Sequence, residues 1–261
     1  MNDTREPPED LLDDFRLLAD LHKRSARQGP GSSAETTRAI ELARLDPATP
    51  LKIADIGCGT GASSLLLARL LNARVTAVDL LPEFIDILRA GAVSAGLSAS
   101  IDPVVGSMQE LPFAGEEFDV IWSEGAVYNM GFRNGVSDWQ RLLRPGGILA
   151  VSEITWSSGE RPPAIEQYWQ AAYPEIDTAA ARIAVLESCG YMPLAYFLLP
   201  DCCWLDNYYR PLQAGFDDFL RRNGNSAAAR AIVAAEEEEI ALYEEFGQYY
   251  SYGFYIAQKP A

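Results

Sequence analysis

The segment Asp55-Ile56-Gly57-Cys58-Gly59-Thr60-Gly61 is the stretch of this chain best suited to hold a ligand. It lies between an apolar run, LKIADIG (51–57), and a helical one, GASSLLLARLL (61–71), so it reads as a strand–turn–helix junction. Glycines there reach backbone angles barred to other residues and let a ligand approach the main chain. Two chemistries use such a turn. A dinucleotide sets its pyrophosphate against the helix N-terminus, and Gly57-x-Gly59-x-x-Ala62 satisfies that fingerprint in its Gly/Ala form. S-adenosylmethionine sets its amino-acid end and ribose there instead. Asp79, closing the next apolar run, stands where a ribose-binding acid belongs in either case. Asp55 favours the second ligand, because a carboxylate ahead of the loop repels phosphate and suits an ammonium or sulfonium.

The elements that must carry these residues alternate. Strands read at 51–57, 74–80, 99–106, 118–125 and 146–156, with helices between them at 61–71, 82–95 and 137–143. Pro82 fits the first turn of its helix, and Pro103 argues for an edge strand. This order predicts an α/β fold with a parallel, doubly wound sheet. Ahead of it, residues 1–10 read as a polar tail. A helix follows from Leu11 to His22, then the breaker Gly29-Pro30-Gly31, then a helix at 34–45 capped by Ser32 or Ser33. Beyond Trp156 helices read at 163–172, 178–189, 204–222 and 226–246, with strands near 192–199 and 252–259.

Four motifs in order resemble the class I S-adenosylmethionine-dependent methyltransferases. DIGCGTG is similar to their first motif and VDLLPEFI (78–85) to their second. GSMQELPFAGEEFDVIWSEGAVYNM (106–130) resembles the adenine-binding turn with the fourth strand, and LLRPGGILAVSE (142–153) the turn before the fifth. The closest tone is that of the ubiquinone/menaquinone and sterol C-methyltransferase-like small-molecule subgroup. The resemblance implies a Rossmann-like seven-stranded sheet whose last strand is antiparallel. It implies an N-terminal helical cap (1–49), a core (50–200 and 250–261) and a helical lobe or lid (201–249) inserted before the last strand. It also implies roles. Asp55, Gly57, Cys58, Gly59 and Gly61 surround the methionine and ribose of the cofactor, and Asp79 accepts from the ribose hydroxyls. Leu80, Ser107, Met108 and Gln109 meet the adenine, while Glu124 and Gly125 line the methionyl end. Ser107 departs from the Asp or Asn that many members carry. The turn Arg144-Pro145-Gly146-Gly147 has a sufficient backbone reason of its own.

The acceptor is less legible. Methyl transfer from a sulfonium needs proximity, orientation and a dry site, and a base only when the acceptor must lose a proton early. Aromatic residues crowd the second half: only Phe15, Phe84, Phe113 and Phe118 precede residue 122. Trp156, Tyr168, Trp169, Tyr173, Trp204, Tyr208 and Tyr209 are candidates for the pocket wall, against the alternative of ordinary packing. Tyr128, following the fourth strand at the mouth of the sheet, and His22, the sole histidine, are the candidates for direct action on the acceptor. Lys23, Arg24 and Arg27 read as a solvated helix face, with contact to an anionic acceptor as the alternative, and the run Glu236–Glu239 as another solvated face.

Composition narrows the partners. With 37 acidic and 21 basic residues the formal charge is −16, which disfavours phosphate polymers and anionic membranes. No Asn/Asp-Pro-Pro-aromatic motif follows the fourth strand to grip a flipped base. Four cysteines without CxxC spacing and one histidine argue against a metal site and for reduced thiols in a cytoplasmic protein. The expectation is an enzyme that methylates a small molecule, without nucleic-acid, membrane or metal partners; a helical lobe with exposed apolar faces is also compatible with a homodimer. Rival readings are an RNA- or protein-modifying methyltransferase, a nicotinamide-dependent oxidoreductase and a non-catalytic cofactor-binding protein.

Overall fold

The computed structural model describes residues 9–261, with side chains from residue 16 onward; most of the expected polar tail lies outside the described residues. Two helices come first, α1 (Glu9–His22) and α2 (Ser33–Leu42). Ser32 caps α2, its extended backbone letting the hydroxyl accept from the Glu35 amide at 3.0 Å. The alternating part follows as β1 (Leu51–Ile56), α3 (Ala62–Leu70), β2 (Ala73–Asp79), α4 (Pro82–Ser94), β3 (Ile101–Val105) and β4 (Phe118–Glu124). It continues with α5 (Phe132–Gln140), β5 (Leu143–Trp156), α6 (Pro163–Ala172), β6 (Asp177–Thr178), α7 (Ala179–Ser188) and β7 (Met192–Leu198). The insertion is α8 (Asp201–Trp204), a π turn at Leu205–Tyr209, α9 (Arg210–Arg222) and α10 (Ala227–Phe246), before β8 (Tyr250–Gln258) closes the chain.

The strands run β3-β2-β1-β4-β5-β8-β7. All pairings from β3 to β5 are parallel, and β8 is antiparallel to both β5 and β7. This is the expected seven-stranded order with its last strand reversed. One short addition, β6, pairs with the end of β5 through Thr155 and Trp156. Pro103 lies in β3, which among the described residues pairs only with β2 and so forms the sheet edge. The period of two along each strand sends side chains into two cores. Val120 and Trp122 join the one beneath α1, α2 and the insertion, and Ile121 joins the one beneath α5 and α7.

One helix departs from the sequence expectation. The helix read at 137–143 begins at Phe132. Phe132, Val136 and Trp139 form its buried stripe, and Gly135 is accepted because Val127 packs directly on it: a Cβ there would stand 2.5 Å from Val127 Cγ2.

The insertion is bound to the sheet by aromatic contacts. Trp204 stacks on Tyr243 with centroids 4.6 Å apart, meets Tyr250 and Tyr252 edge-on, and donates from Nε1 to Ser251 Oγ at 2.9 Å. Helix α1 packs on α9 and α10, with Arg222 paired to Asp20 at 2.9 Å. Trp204→Phe removes indole area and one buried hydrogen bond, so it should cost about 1–3 kcal/mol of unfolding free energy. Urea denaturation followed by far-UV dichroism checks this, and an unchanged midpoint would mean that Trp204 does not anchor the insertion.

Candidate active site

The strand order reverses between β1 and β4, and an open α/β sheet leaves a crevice beyond the carboxyl ends of its strands at such a point. A cavity of about 620 Å³ lies there, bounded by the glycine loop, the ends of β2 and β4, the segment after α1, and α10. A second hollow, about 720 Å³, lies at the opposite strand ends beside Arg144–Gly147. It holds the expected structural turn, where Arg144 pairs with Asp119 at 2.7 Å.

The loop's glycines are required by what covers them. Gly57 and Gly59 have φ of +74° and +56°. A Cβ on Gly57 would stand 2.3 Å from Ala126 Cβ, and one on Gly59 2.3 Å from Gln28 Oε1. Gly61 has another reason: it packs under Leu88 of α4 and does not line the cavity. Its expected place around the ligand is thus corrected to a helix-packing role.

Four carboxylates line the crevice, Asp55, Asp79 and Glu124 around the glycine loop and Glu236 on α10. Asp79 is fixed by two amides, Oδ2 accepting from Gly59 N at 2.8 Å and Oδ1 from Leu81 N at 3.0 Å. Burial raises its pKa against the pull of those amides. Asp55 is fully buried, and burial pushes its carboxyl up to about 7. Ser64 Oγ, donating at 2.5 Å, opposes that shift, while Glu124 and Asp79 add to it by repulsion. Glu124, ending β4, accepts from three elements. Oε1 takes hydrogen bonds from Thr36 Oγ1 at 2.8 Å and Trp122 Nε1 at 2.9 Å, and Oε2 pairs with Arg27 Nη1 at 2.9 Å.

Arg27 therefore does not sit on a solvated face with Lys23 and Arg24. Lys23 pairs with Asp20 and Arg24 stays exposed, but Arg27 lies beyond the end of α1, where the chain crosses the crevice. Gln28 follows it and roofs the loop, Oε1 accepting from both the amide and the hydroxyl of Thr60 at 2.8 and 3.1 Å. Sequence offers Arg27 only as one of a basic cluster and Gln28 not at all; their position directly before Gly29-Pro30-Gly31 is the available signal.

At one end of the cavity stand Leu80, Phe84, Ser107, Met108 and Gln109. Leu80 is 58% exposed, an unusual state for a leucine unless something covers it. Ser107 Oγ accepts from the Gln109 amide at 3.2 Å and shapes the turn. Cys58 lies in the loop floor and Gly125 beyond Glu124; a Cβ on Gly125 would meet Tyr252 at 2.9 Å. At the other end are Tyr128, His22, Tyr208 and Glu236. His22 stacks on Tyr208, centroids 6.1 Å apart, with Nε2 3.3 Å from Glu236 Oε1.

The remaining aromatic candidates are elsewhere. Trp156, Trp204 and Tyr209 are core residues, and Tyr168 and Trp169 pack on the core beside Tyr250; none of the five lines the cavity. They contact one another or Tyr250 of β8, which commits them to packing. The glutamate run is likewise divided. Glu236 and Glu239 face inward, Glu239 accepting from Tyr209 at 2.8 Å, while Glu237 and Glu238 are exposed. The i, i+3 spacing on one helix face was the missed signal.

Residues 53–147 match the family model described as a methyltransferase domain. The chain is similar to the methyltransferase GfsG of Streptomyces halstedii, 33% identical over 112 residues, covering 42% of this chain and 40% of that protein. It is similar to the malonyl-[acyl-carrier protein] O-methyltransferase of Herminiimonas arsenicoxydans, 32% identical over 149 residues, covering 56% and 54%. The chain thus spans about half or less of the length of these relatives. Its fold is that of the S-adenosylmethionine-dependent methyltransferase from Geobacter sulfurreducens solved with S-adenosylhomocysteine, with a TM-score of 0.79, 19% identity and coverage of 94% and 97%.

Asp55 gives the site a pH signature. Folded, it holds its proton up to about pH 7; unfolded, only to about 3.8. The native state therefore binds more protons between those values, and stability falls as pH rises from about 4 to about 7. Glu153, buried in β5 and also pushed up to about 7, first by burial, adds the same slope. The melting temperature of the ligand-free protein should be lower at pH 8 than at pH 5, and Asp55→Asn should narrow the gap. An undiminished gap in the variant would place the effect elsewhere.

Proposed function

On the premise that residues 53–147 are a class I S-adenosylmethionine-dependent methyltransferase domain, we propose that this chain transfers a methyl group from that cofactor to a small-molecule acceptor. The observation that carries the reading is the crevice at the β1–β4 switch point. Its glycine loop admits no Cβ at 57 or 59, and its wall carries Asp55, Asp79 and Glu124. Asp55 and Asp79, with Glu124 already paired to Arg27, oppose a pyrophosphate and fit a ligand bearing an ammonium, a sulfonium and two ribose hydroxyls. This favours the methyl donor over a nicotinamide dinucleotide.

The residues fit the cofactor end to end. Leu80, Met108 and Phe84 offer apolar contact to an adenine, with Ser107 and Gln109 at its polar edge. Asp79 is held with both oxygens oriented by backbone amides, ready to accept from ribose hydroxyls. Asp55, Gly57, Cys58, Gly59, Glu124 and Gly125 enclose the amino-acid end, and Arg27 suits its carboxylate. When bound, the cofactor supplies a methyl group on a positively charged sulfur that departs as a neutral thioether. The chain's own work is to hold the acceptor in line and exclude water. Gln28 and Arg27 roof the crevice, and Tyr128, Tyr208 and His22 stand at the end left for the acceptor.

The net charge of −16 supports a small acceptor over RNA. Among the described residues no helix is long and apolar enough to cross a membrane, and we place the enzyme in the cytoplasm. We also retain the division into cap (1–49), core (50–200 and 250–261) and helical lobe (201–249), with the lobe completing the acceptor end through Tyr208 and Glu236.

Calorimetry on the purified protein tests the reading. S-adenosylhomocysteine should bind and NAD(H) should not; the reverse would overturn it. Asp79→Ala should weaken S-adenosylhomocysteine about tenfold or more, since charge-assisted hydrogen bonds are lost. Unchanged affinity would refute the ribose assignment.

A further inference from the structure

We propose that the acceptor is a primary or secondary amine bearing no acidic group, and that the Glu236 carboxylate receives its N–H; this rests on the methyltransferase reading above. The acceptor end of the cavity is walled by Leu18, His22, Tyr128, Tyr208 and Glu236. Among the described residues only Arg27 and His22 could bring positive charge to the cavity wall, and Arg27 is committed to Glu124 at 2.9 Å. Glu236 is differently placed. Its side chain is 12% exposed, and His22 Nε2 stands 3.3 Å from Oε1 as a charge contact, with no hydrogen bond reaching Glu236 among the described residues. Glu239, one turn further along α10, has its pKa raised by burial and also by repulsion from Glu236, against the pull of the Tyr209 hydroxyl. The field at this end is therefore negative. A carboxylate drawn in from solvent and short of donors calls for a ligand that supplies one. The same charge repels an acceptor bearing a carboxylate, a phosphate or a thiolate.

This wall also offers no base for a hydroxyl. His22 Nδ1 is buried out of the acceptor's reach, and Nε2 is turned toward Glu236. Burial raises the pKa of both Tyr128 and Tyr208, which keeps their phenols protonated. A carboxylate is poorly matched to the proton of an alcohol. A neutral amine needs none of these groups, because it attacks through a lone pair it already has. With its N–H directed at Glu236, that lone pair is free to face the methyl group. Nitrogen forms its bond to the methyl carbon as the carbon–sulfur pair leaves with the thioether. The positive charge passes from sulfur to nitrogen, and the proton stays on the product ammonium until solvent takes it. An alkene, the other neutral nucleophile, would become a carbocation that still has to lose a proton to a base. The new ammonium lies beside Glu236 and near the Tyr128 ring, which is 45% exposed and braced edge-on by Tyr173 at 6.2 Å.

The test uses the full chain with S-adenosylmethionine and a panel of aliphatic and aromatic amines, each beside its matched alcohol, thiol, alkene and carboxylate-bearing amine, reading S-adenosylhomocysteine release. Turnover is expected on amines without an acidic group. Glu236→Gln should raise the KM of the turned-over amine about tenfold or more, since a hydrogen bond to a charged acceptor is lost, and leave S-adenosylhomocysteine affinity unchanged by calorimetry. Glu237→Gln, an exposed neighbour on the same helix, should change neither. The methylated product, added as its ammonium salt to protein saturated with S-adenosylhomocysteine, should bind to the wild type and about tenfold more weakly to Glu236→Gln. Turnover confined to alcohols, thiols or alkenes, a preference for the carboxylate-bearing amine, or equal KM and product affinity in Glu236→Gln and the wild type would each overturn the proposal. So would no turnover on any class with S-adenosylhomocysteine binding intact, whereas failure of the wild type to bind S-adenosylhomocysteine overturns the methyltransferase reading itself.

Discussion

The Glu124 carboxylate ties the molecule's two working parts together. It stands at the carboxyl end of β4, nearly out of reach of solvent, and a buried charge is tolerated only when its oxygens are satisfied. Its donors come from its own strand (Trp122), from α2 (Thr36) and from the segment leaving α1 (Arg27). Arg27 also reaches Thr36 Oγ1 at 3.2 Å, so the donors are linked to one another. This fixes the course of the chain after α1. With Arg27 anchored, Gln28 falls over Gly59 and Thr60, and Gly31 receives Asn207 of the insertion at its carbonyl, 2.9 Å away. The roof of the crevice hangs from a carboxylate that belongs to its floor.

That arrangement gives the cavity its electrical character. Overall charge places the chain among acidic proteins but says nothing of where the acids point. Arg27 neutralises Glu124, and Asp55 and Asp79 are left to face a ligand with little more than Ser64 and backbone amides to satisfy them. Their raised pKa values express the cost of that isolation. A positively charged ligand relieves it, and this is the sense in which the site is built for one.

The insertion obeys a different constraint. A helical segment laid across an antiparallel strand pair must bury its own apolar face before it can serve a ligand. Trp204, Tyr209 and Tyr243 are spent on that, against Tyr250 and Tyr252 of β8. The π turn at 205–209 breaks the helical phase between the anchoring residues and those that follow, and within it Tyr208 reaches the cavity while its neighbour Tyr209 stays in the core. Such an offset follows from a local change in winding, which residue type does not announce.

The sequence by itself determined the alternating elements, the parallel order, the edge position of β3 and the glycine loop between Asp55 and Asp79. These follow from local periodicity and from backbone angles that only certain residues accept, so they are written where they act. Motif resemblance added the reversed last strand and pointed to Leu80, Met108 and Glu124, which line one crevice; it carries position but not partners. Tertiary structure alone decided that Arg27 is an inward-facing anchor and not a solvated cation, that Gly61 serves helix packing, and that most aromatic residues of the second half form a core. It alone brought His22 to Glu236, more than two hundred residues away in the chain. The reason is the same in each case: a side chain's partners are set by how helices and strands stack across the whole fold, and a charge or ring in sequence carries no record of what it will face.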